Sequence, residues 1–497
     1  MTDENKPLSQ RRNINLYVDN PQHVVSAHHT SKPPSHRASC RLTSEPSTVN
    51  ASLHRPSRLV AMVSAPADAG SRLRRSITES ELQGLNWETT SLGLLQPKWA
   101  TELDLKAVEE TIQSLNVGAV TNVRFLARGA FNMVFEVQTA QNPEPLILRV
   151  TLPVDPLYKT ASEVATLNWL RQHANIPVPM VIDHDSSRRN ILGFEWILMS
   201  KLPGRPLADE WRSLSYPAKK QLVRQLAEYS STMFENQLRG IGNIYTSESS
   251  PEVGRIVSMH FFWGDRIRRV AHRGPFSSST EWIHARLALV KDECLSTLTK
   301  YSATSPLDSD EEDDLEGAER TLAIIERLTP FIDRIFPCCG REGGEPSMVF
   351  HDDLSRHNIL MVDGQLGGVV DWECVSALPL WRACDFPSFL KARRRDTHPD
   401  PKLYGREADG ELTELYWDHL EEFELTQLRQ VFLSEMTRLS PGWVEVFNRS
   451  GLQRDFDTAV HHCDNEILAR RIELWLSDLE NATSLSRVPN LPTGING

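Results

Sequence analysis

The chain lacks the long uncharged apolar stretch that a membrane span requires, which is about 18 or more residues. Its first dozen residues, MTDENKPLSQRR, lack the compact apolar stretch of a secretory signal and are too acidic at the tip for a good mitochondrial presequence. No C-x-x-C pair occurs among its 7 cysteines, and their number is odd. That usage excludes a disulfide-stapled secreted scaffold and predicts free thiols in a reducing compartment. The expected location is therefore cytoplasmic, with the mitochondrion as the alternative. The adjacent Cys338 and Cys339 leave a redox pair and two independent thiols both open.

Basic charge is scarce over most of the length. The net charge is −12, yet residues 1–75 hold 11 basic and 5 acidic residues, so the tail carries +6 and the rest −18. An acidic body argues against a nucleic-acid-binding domain. The basic tail is rich in Ser, Pro, His and Arg without sustained periodicity, and reads as disordered over residues 1–75.

Hydrophobic residues make up 40% of the 497, ample for a large core. From residue 117 the pattern is strand-like. VTNVRFLARG and NMVFEVQT alternate around a turn at Gly129, and PLILRVTL follows as a third strand. SEVATLNWLRQHA then spaces Val164, Leu167 and Leu170 along one helix face, with Ser162 as the expected N-cap. GFEWILMSKLPG reads as a buried strand running into a turn. Beyond Leu207 helical spacing dominates, with long helices expected over about 281–301 and 317–336 and again from Glu411 to Asn481. The acidic run DSDEEDDLE reads as a solvated loop near 304–317. It lacks the spaced ligands and turn glycine of a calcium loop. The final residues, 486–497, look frayed. The order of elements predicts a two-lobed α+β fold, a β-rich lobe over 76–202 and a helical lobe over 203–485, with a cleft between them.

Strand and turn signals return in MVFHDDLSRHNILMVDGQLGGVVDWE. His351, Asp353 and Asn358 form H-x-D-x-x-x-x-N, and the hairpin ILMV-DGQLG-GVVDW brings Asp371 back beside Asn358. This arrangement suits phosphoryl transfer. Magnesium prefers oxygen ligands, and the Asn358 amide with the Asp371 carboxylate supplies them. Asp353, set apart, would orient an acceptor hydroxyl and take its proton, while His351 braces the loop. A rival reading makes His351 and Asp352 a metal-binding pair with His357. It requires helical flanks, whereas these flanks read as strand and loop. Asp352 is expected to be solvated or to cap the loop.

This segment resembles the catalytic loop and metal-binding strand of the aminoglycoside phosphotransferase and choline kinase-like families, which share a protein-kinase-like fold. Asp371-Trp372-Glu373 is similar to their D-W-E element, and the resemblance extends over residues 117–390. SEVATLNWL, IPVP and GFEWILM resemble the fungal branch. The resemblance implies an ATP lobe, with ATP and Mg2+ as cofactors and a small molecule as acceptor. Gly129, Ala130, Phe131 and Asn132 would cover the phosphates. Arg149, standing where the family's lysine is expected, would grip them with Glu163 as its partner, and Lys159 is a further candidate. Ser200 and Leu202 would flank adenine, and Asp385 would stabilise nearby loops. Trp381 fits either an acceptor pocket or the core. Two alternatives stay open: a kinase-fold binding or scaffold protein, favoured by the single-glycine turn and Arg149, and a protein kinase, which lacks its A-P-E element here.

Overall fold

The computed structural model describes residues 77–91, 94–115, 117–247, 250–302, 306–337 and 343–491. The expectations for residues 1–75 and for Cys40, Cys338 and Cys339 lie outside these.

A short hairpin opens the described chain, β1 (Leu85–Thr89) with β2 (Leu95–Trp99), followed by α1 (Leu105–Ser114) capped by Asp104. Then comes a five-stranded antiparallel sheet: β3 (Val120–Arg128), β4 (Asn132–Thr139), β5 (Leu146–Thr151), β6 (Val181–Asp185) and β7 (Glu195–Ser200), in the order β3-β4-β5-β7-β6. Sequence explains the order. NMVFEVQT and LILRVT are apolar at half or more of their positions and are buried on both faces, as central strands must be. VTNVRFLAR and VIDHD carry polar residues and sit at the edges.

Helix α2 (Tyr158–His173) connects β5 to β6 and is buried nearly all round. Helices buried on every side are normally apolar. This one buries Lys159, Ser162 and Glu163, so each requires a partner from another element. The helix starts one turn earlier than expected, at a left-handed Leu157 (φ 71°). Ser162 is therefore no cap; its hydroxyl donates to the Lys159 carbonyl inside the helix (3.0 Å).

The second half is built on helices α3 (Tyr216–Glu235), α4 (Ser279–Ser302), α5 (Ser309–Leu328), α6 (Glu414–Leu439), α7 (Pro441–Arg449), α8 (Gly451–His461) and α9 (Glu466–Asn481). Between α5 and α6 lie four strands: β8 (Pro346–Phe350), β9 (Ile359–Val362), β10 (Gln365–Val369) and β11 (Ser376–Pro379). β9 and β10 form the expected hairpin, and β8 pairs with β11. The α+β class expected from the sequence is the one observed.

Three expectations change. The acidic run is the first two turns of α5, not a loop. Asp308 and Glu311 form a capping box, and carboxylates there complement the positive end of the helix dipole. The helix expected from 317 thus begins at Ser309, and after Leu328 it breaks into short turns ending at Ile335. Nor are the described residues 486–491 frayed; the rest of that stretch, 492–497, lies outside the described residues. Leu491 is buried, its amide donates to Asp455 (3.1 Å), and Trp475 donates to the Pro489 carbonyl (3.0 Å).

Two apolar cores result, one under the sheet and one among the helices. The first also contains Val257, Phe262 and Ile267, contributed by the chain that follows α3. Phe131, at the tip of the β3–β4 turn, meets Phe262 and Trp263 edge-on (5.6 and 6.2 Å between ring centres). The hairpin β9–β10 meets the first half where Val369 donates to the Pro177 carbonyl (2.9 Å). Gly368 (φ 154°) permits that approach, because a Cβ there would stand 2.8 Å from the same oxygen.

Two predictions follow from buried charge. Glu195 accepts the Leu157 amide at 2.5 Å and so holds the entry to α2. Burial pushes its carboxyl up to about 7, against that bond, from the ordinary 4.5. The fold therefore favours the protonated form. This contribution is complete below pH 4.5 and is lost as pH rises through 7, a difference of about 3 kcal/mol. Glu195→Gln mimics the protonated state and should raise the thermal midpoint by a few °C at pH 8 and leave it unchanged at pH 4.5; an equal effect at both would contradict the assignment. Asp457 of α8, also buried, pairs with Arg286 of α4 and, at 2.9 Å, with Arg382, which in turn holds Asp352 (2.8 Å). Asp457→Asn leaves two guanidinium groups undercompensated and should cost about 3 kcal/mol in chemical denaturation; an unchanged denaturation curve would contradict this.

Candidate active site

The loop after β8 carries His351, Asp353 and Asn358. Asn358 is fixed by its own amide group, which donates to the Asp353 carbonyl (2.9 Å) and to Asp353 Oδ2 (3.0 Å). Both donors of Nδ2 are thereby used and Oδ1 is left as an acceptor. The Val370 amide donates to the Asn358 carbonyl (2.9 Å), so the hairpin return sets Asp371 beside the loop. His351 is buried against Trp372 and places Nε2 3.2 Å from the Val370 carbonyl, to which it donates. Burial pushes its pKa down to about 4 despite that bond, so it is neutral near pH 7 and braces the loop without carrying charge.

Asp371 and Cys374 both adopt left-handed backbone (φ 63° and 59°). Such conformations cost of order 1 kcal/mol or more for non-glycine residues and cluster where geometry matters for function. The Asp371 side chain keeps 21% exposure. Among the described residues, the nearest basic group to it is Arg149 Nη1, at 3.7 Å. Burial, and next the Glu373 carboxylate, push Asp371 up to about 7 against the pull of Arg149 and Lys159. An amide oxygen, a carboxylate without a close ion pair and a surplus of negative charge make a hard-oxygen donor set that fits Mg2+.

Above this loop lies the β3–β4 turn. Gly129 donates to the Asn132 carbonyl (2.8 Å) and closes it. A Cβ on Gly129 would meet only that oxygen, at 3.9 Å, so the turn leaves room on this side for a ligand to approach. Ala130 follows, half-buried, and Phe131 is buried as described. The Asn132 side chain points inward and donates to Glu373 Oε2 (2.8 Å).

Arg149, in the middle of β5, ion-pairs with Glu163 of α2, the partner expected for it. Lys159, one turn before Glu163, is fully buried and pairs with Glu373 (2.5 Å). Burial alone would raise Glu373, but the Lys159 and Arg149 charges and the bonds from Lys159 and Asn132 outweigh it and hold the carboxyl below its usual range. The seam between sheet and loop therefore holds two buried cations and three carboxylates.

At the end of β7 the expected adenine contacts divide. The Ser200 amide is already spent on the Met180 carbonyl (2.9 Å), and its hydroxyl accepts from the Met180 amide (2.8 Å). Ser200 is thus bound into the sheet edge and offers no amide to a base. Leu202 lies against Gly368 of β10. Asp385 pairs with Lys391 (2.7 Å), which ties the loop after β11. Trp381 is buried and donates to Ser279 Oγ (2.7 Å), a core position. Asp352 is exposed and pairs with Arg382; His357 is exposed as well. No group of three or more His, Cys, Asp or Glu able to hold a metal by themselves occurs among the described residues, which leaves the His351–Asp352 pair without support.

Sequence reasoning missed the partnership of Glu373, Lys159 and Asn132. Its signals were a second carboxylate two residues after Asp371 and a lysine one turn before Glu163. It also missed the entry of Phe262 and Trp263 beneath the turn, for which no local signal exists.

A subtelomeric hrmA-associated cluster protein of Aspergillus fumigatus is 28% identical over 308 residues, 53% of this chain and 59% of its own length. The chain thus spans under two thirds of that relative. A clavilactone A biosynthesis cluster protein of Ampulloclitocybe clavipes is 26% identical over 309 residues, covering 60% of this chain and 70% of that protein. Among solved structures, aminoglycoside phosphotransferase APH(4)-Ia with AMP-PNP and hygromycin B aligns with 76% of this chain and 99% of its own, at 15% identity and a TM-score of 0.38. Aminoglycoside phosphotransferase APH(2'')-Ib bound to ADP aligns with 75% and 97%, at 14% identity and a TM-score of 0.40. The model of the phosphotransferase enzyme family matches residues 122–429, well over half of the sequence, and the chain belongs to that family.

Proposed function

We infer that the protein transfers the γ-phosphate of ATP to a hydroxyl of a small molecule. The observation that carries this reading is the joint placement of Asp353, Asn358 and Asp371. One side-chain amide ties Asn358 to Asp353, and one backbone bond ties Asn358 to the strand that delivers Asp371. Family membership supports the reaction class.

In this scheme the amides of Ala130 and Phe131 and the guanidinium of Arg149 hold the phosphates from above. Asn358 Oδ1 and the Asp371 carboxylate would hold Mg2+ from below. Such an ion would supply positive charge against the negative charge that develops during transfer. Asp353 keeps Oδ2 on Asn358 and presents its other oxygen to the acceptor, orienting the hydroxyl and taking its proton. His351 holds the loop to Val370 and stays neutral. Adenine falls to the backbone around Leu202, since the Ser200 amide is spent on Met180 and the Lys201 amide on the Pro145 carbonyl (3.4 Å). No helix among the described residues is long and apolar enough to cross a membrane, and the acceptor in this reading is a dissolved metabolite.

A second reading, a catalytically weak or inactive kinase-fold binding or scaffold protein, draws on one observation: Arg149 is tied to Glu163 and reaches towards Asp371, which limits its freedom to grip phosphate. Turnover separates the two. A metabolite extract incubated with MgATP and the protein should yield a compound that gains one phosphoryl group. Asp353→Asn should lower that yield by 10²–10⁴-fold, the usual contribution of a positioned base, while leaving nucleotide binding within a few-fold of wild type. Equal yield from the variant would overturn the role given to Asp353, and absence of any product from wild type would favour the second reading.

A further inference from the structure

Glu373 stands two residues beyond Asp371, and its carboxylate has the right chemistry for a second metal ligand. Its surroundings assign it elsewhere. Its side chain is 3% exposed, and Oε2 receives both Lys159 Nζ (2.5 Å) and Asn132 Nδ2 (2.8 Å). An ammonium has three protons to give. Lys159 gives them to Glu373, to Thr151 Oγ1 (2.6 Å) and to Asn132 Oδ1 (3.4 Å). None is left for a phosphate. Asn132 is likewise engaged at both ends of its amide, giving Nδ2 to Glu373 and accepting Lys159 at Oδ1. Thr151, having accepted from Lys159, donates onward to the Phe131 carbonyl at 3.5 Å.

The result is a closed triangle that joins three elements far apart in sequence. Asn132 is the end of the β3–β4 turn, Lys159 the first turn of α2, and Glu373 the residue that follows Asp371-Trp372. The three side chains bond one another, and Lys159 keeps no spare donor for the seam.

We propose that Glu373, Lys159 and Asn132 form an internal clamp that sets the height of the 129–132 turn over Asp371, and that neither Glu373 nor Lys159 touches metal or phosphate. They are positioning residues. The inference rests on the phosphotransfer reading for its consequence, because the turn and Asp371 are the two surfaces between which the phosphates would lie. It divides the buried cations by task. Lys159 is spent on architecture, and Arg149 remains as the one that faces the phosphates. It also makes Asn132 a tether acting through its side chain, in addition to any contact made by its backbone.

The test uses the full chain and a non-hydrolysable ATP analogue, with calorimetric binding, magnesium titration of that binding and thermal midpoints. Glu373→Gln and Lys159→Met each leave a buried charge without its partner, and each should lower the midpoint by about 5 °C. The double variant removes both charges and should recover at least half of that loss, the signature of direct coupling. Its half-saturating magnesium concentration should stay within about two-fold of wild type, while Asp371→Asn should raise it about ten-fold or more. Asn132→Ala should weaken analogue binding about ten-fold through loss of the tether, with an unchanged magnesium requirement. A double variant that needs as much added magnesium as Asp371→Asn would make Glu373 a metal ligand and overturn the proposal. Wild-type affinity in Asn132→Ala would overturn it too. If wild type binds no analogue, the phosphotransfer reading fails, and the midpoints still decide the clamp: no recovery in the double variant removes it.

Discussion

Everything at the candidate site hangs on two cations buried in a seam where water cannot screen them. Arg149 projects from the sheet and Lys159 from the helix beside it, and both are tied to carboxylates on other elements. Burying an unpaired charge costs several kcal/mol, so neither side chain is tolerable in the fold without its partner. That constraint fixes three distances together. α2 must sit against β5 to bring Glu163 to Arg149, the Asp371-Trp372-Glu373 segment after β10 must rise to meet Lys159, and the β3–β4 turn must descend to place Asn132 on Glu373. The loop after β8 is then carried along, because Val370 and Asn358 share a backbone bond.

The same logic explains what is left open. Asp371 stays the least compensated carboxylate of the three, with Arg149 no nearer than 3.7 Å. Asn358 has spent its donors and retains an acceptor. An oxygen pair short of positive charge is what the proposed scheme asks of its cation site. The rigid apolar support lies outside the seam, where Phe131 packs on Phe262 and Trp263 and His351 packs on Trp372.

Much of this was legible in the sequence where the signal is local. The hairpin ILMV-DGQLG-GVVDW, the apolar central strands and the spacing from Asp353 to Asn358 all depend on residues near one another, and the strands and loop appear where they were expected. The pairing of Arg149 with Glu163 was reachable because both lie on adjacent elements. The clamp was not. Asn132 and Glu373 are 241 positions apart, and nothing near either announces the other. The acidic run misled for a different reason. Read by composition, DSDEEDDLE is a solvated loop; read by position, it is the first turns of a helix whose dipole favours carboxylates. Ser200 misled because a strand terminus looks like free backbone until its edge partner, Met180, is known.

In the proposed scheme ATP is bound chiefly through its phosphates, held between the turn, Arg149 and the Asn358–Asp371 pair. The most direct measurement is calorimetric titration of wild type and Arg149→Gln with ATP and with AMP, both in excess magnesium. The account predicts that wild type binds ATP about ten-fold or more tightly than AMP, and that the gap narrows in Arg149→Gln. Equal affinity of wild type for the two nucleotides would contradict it.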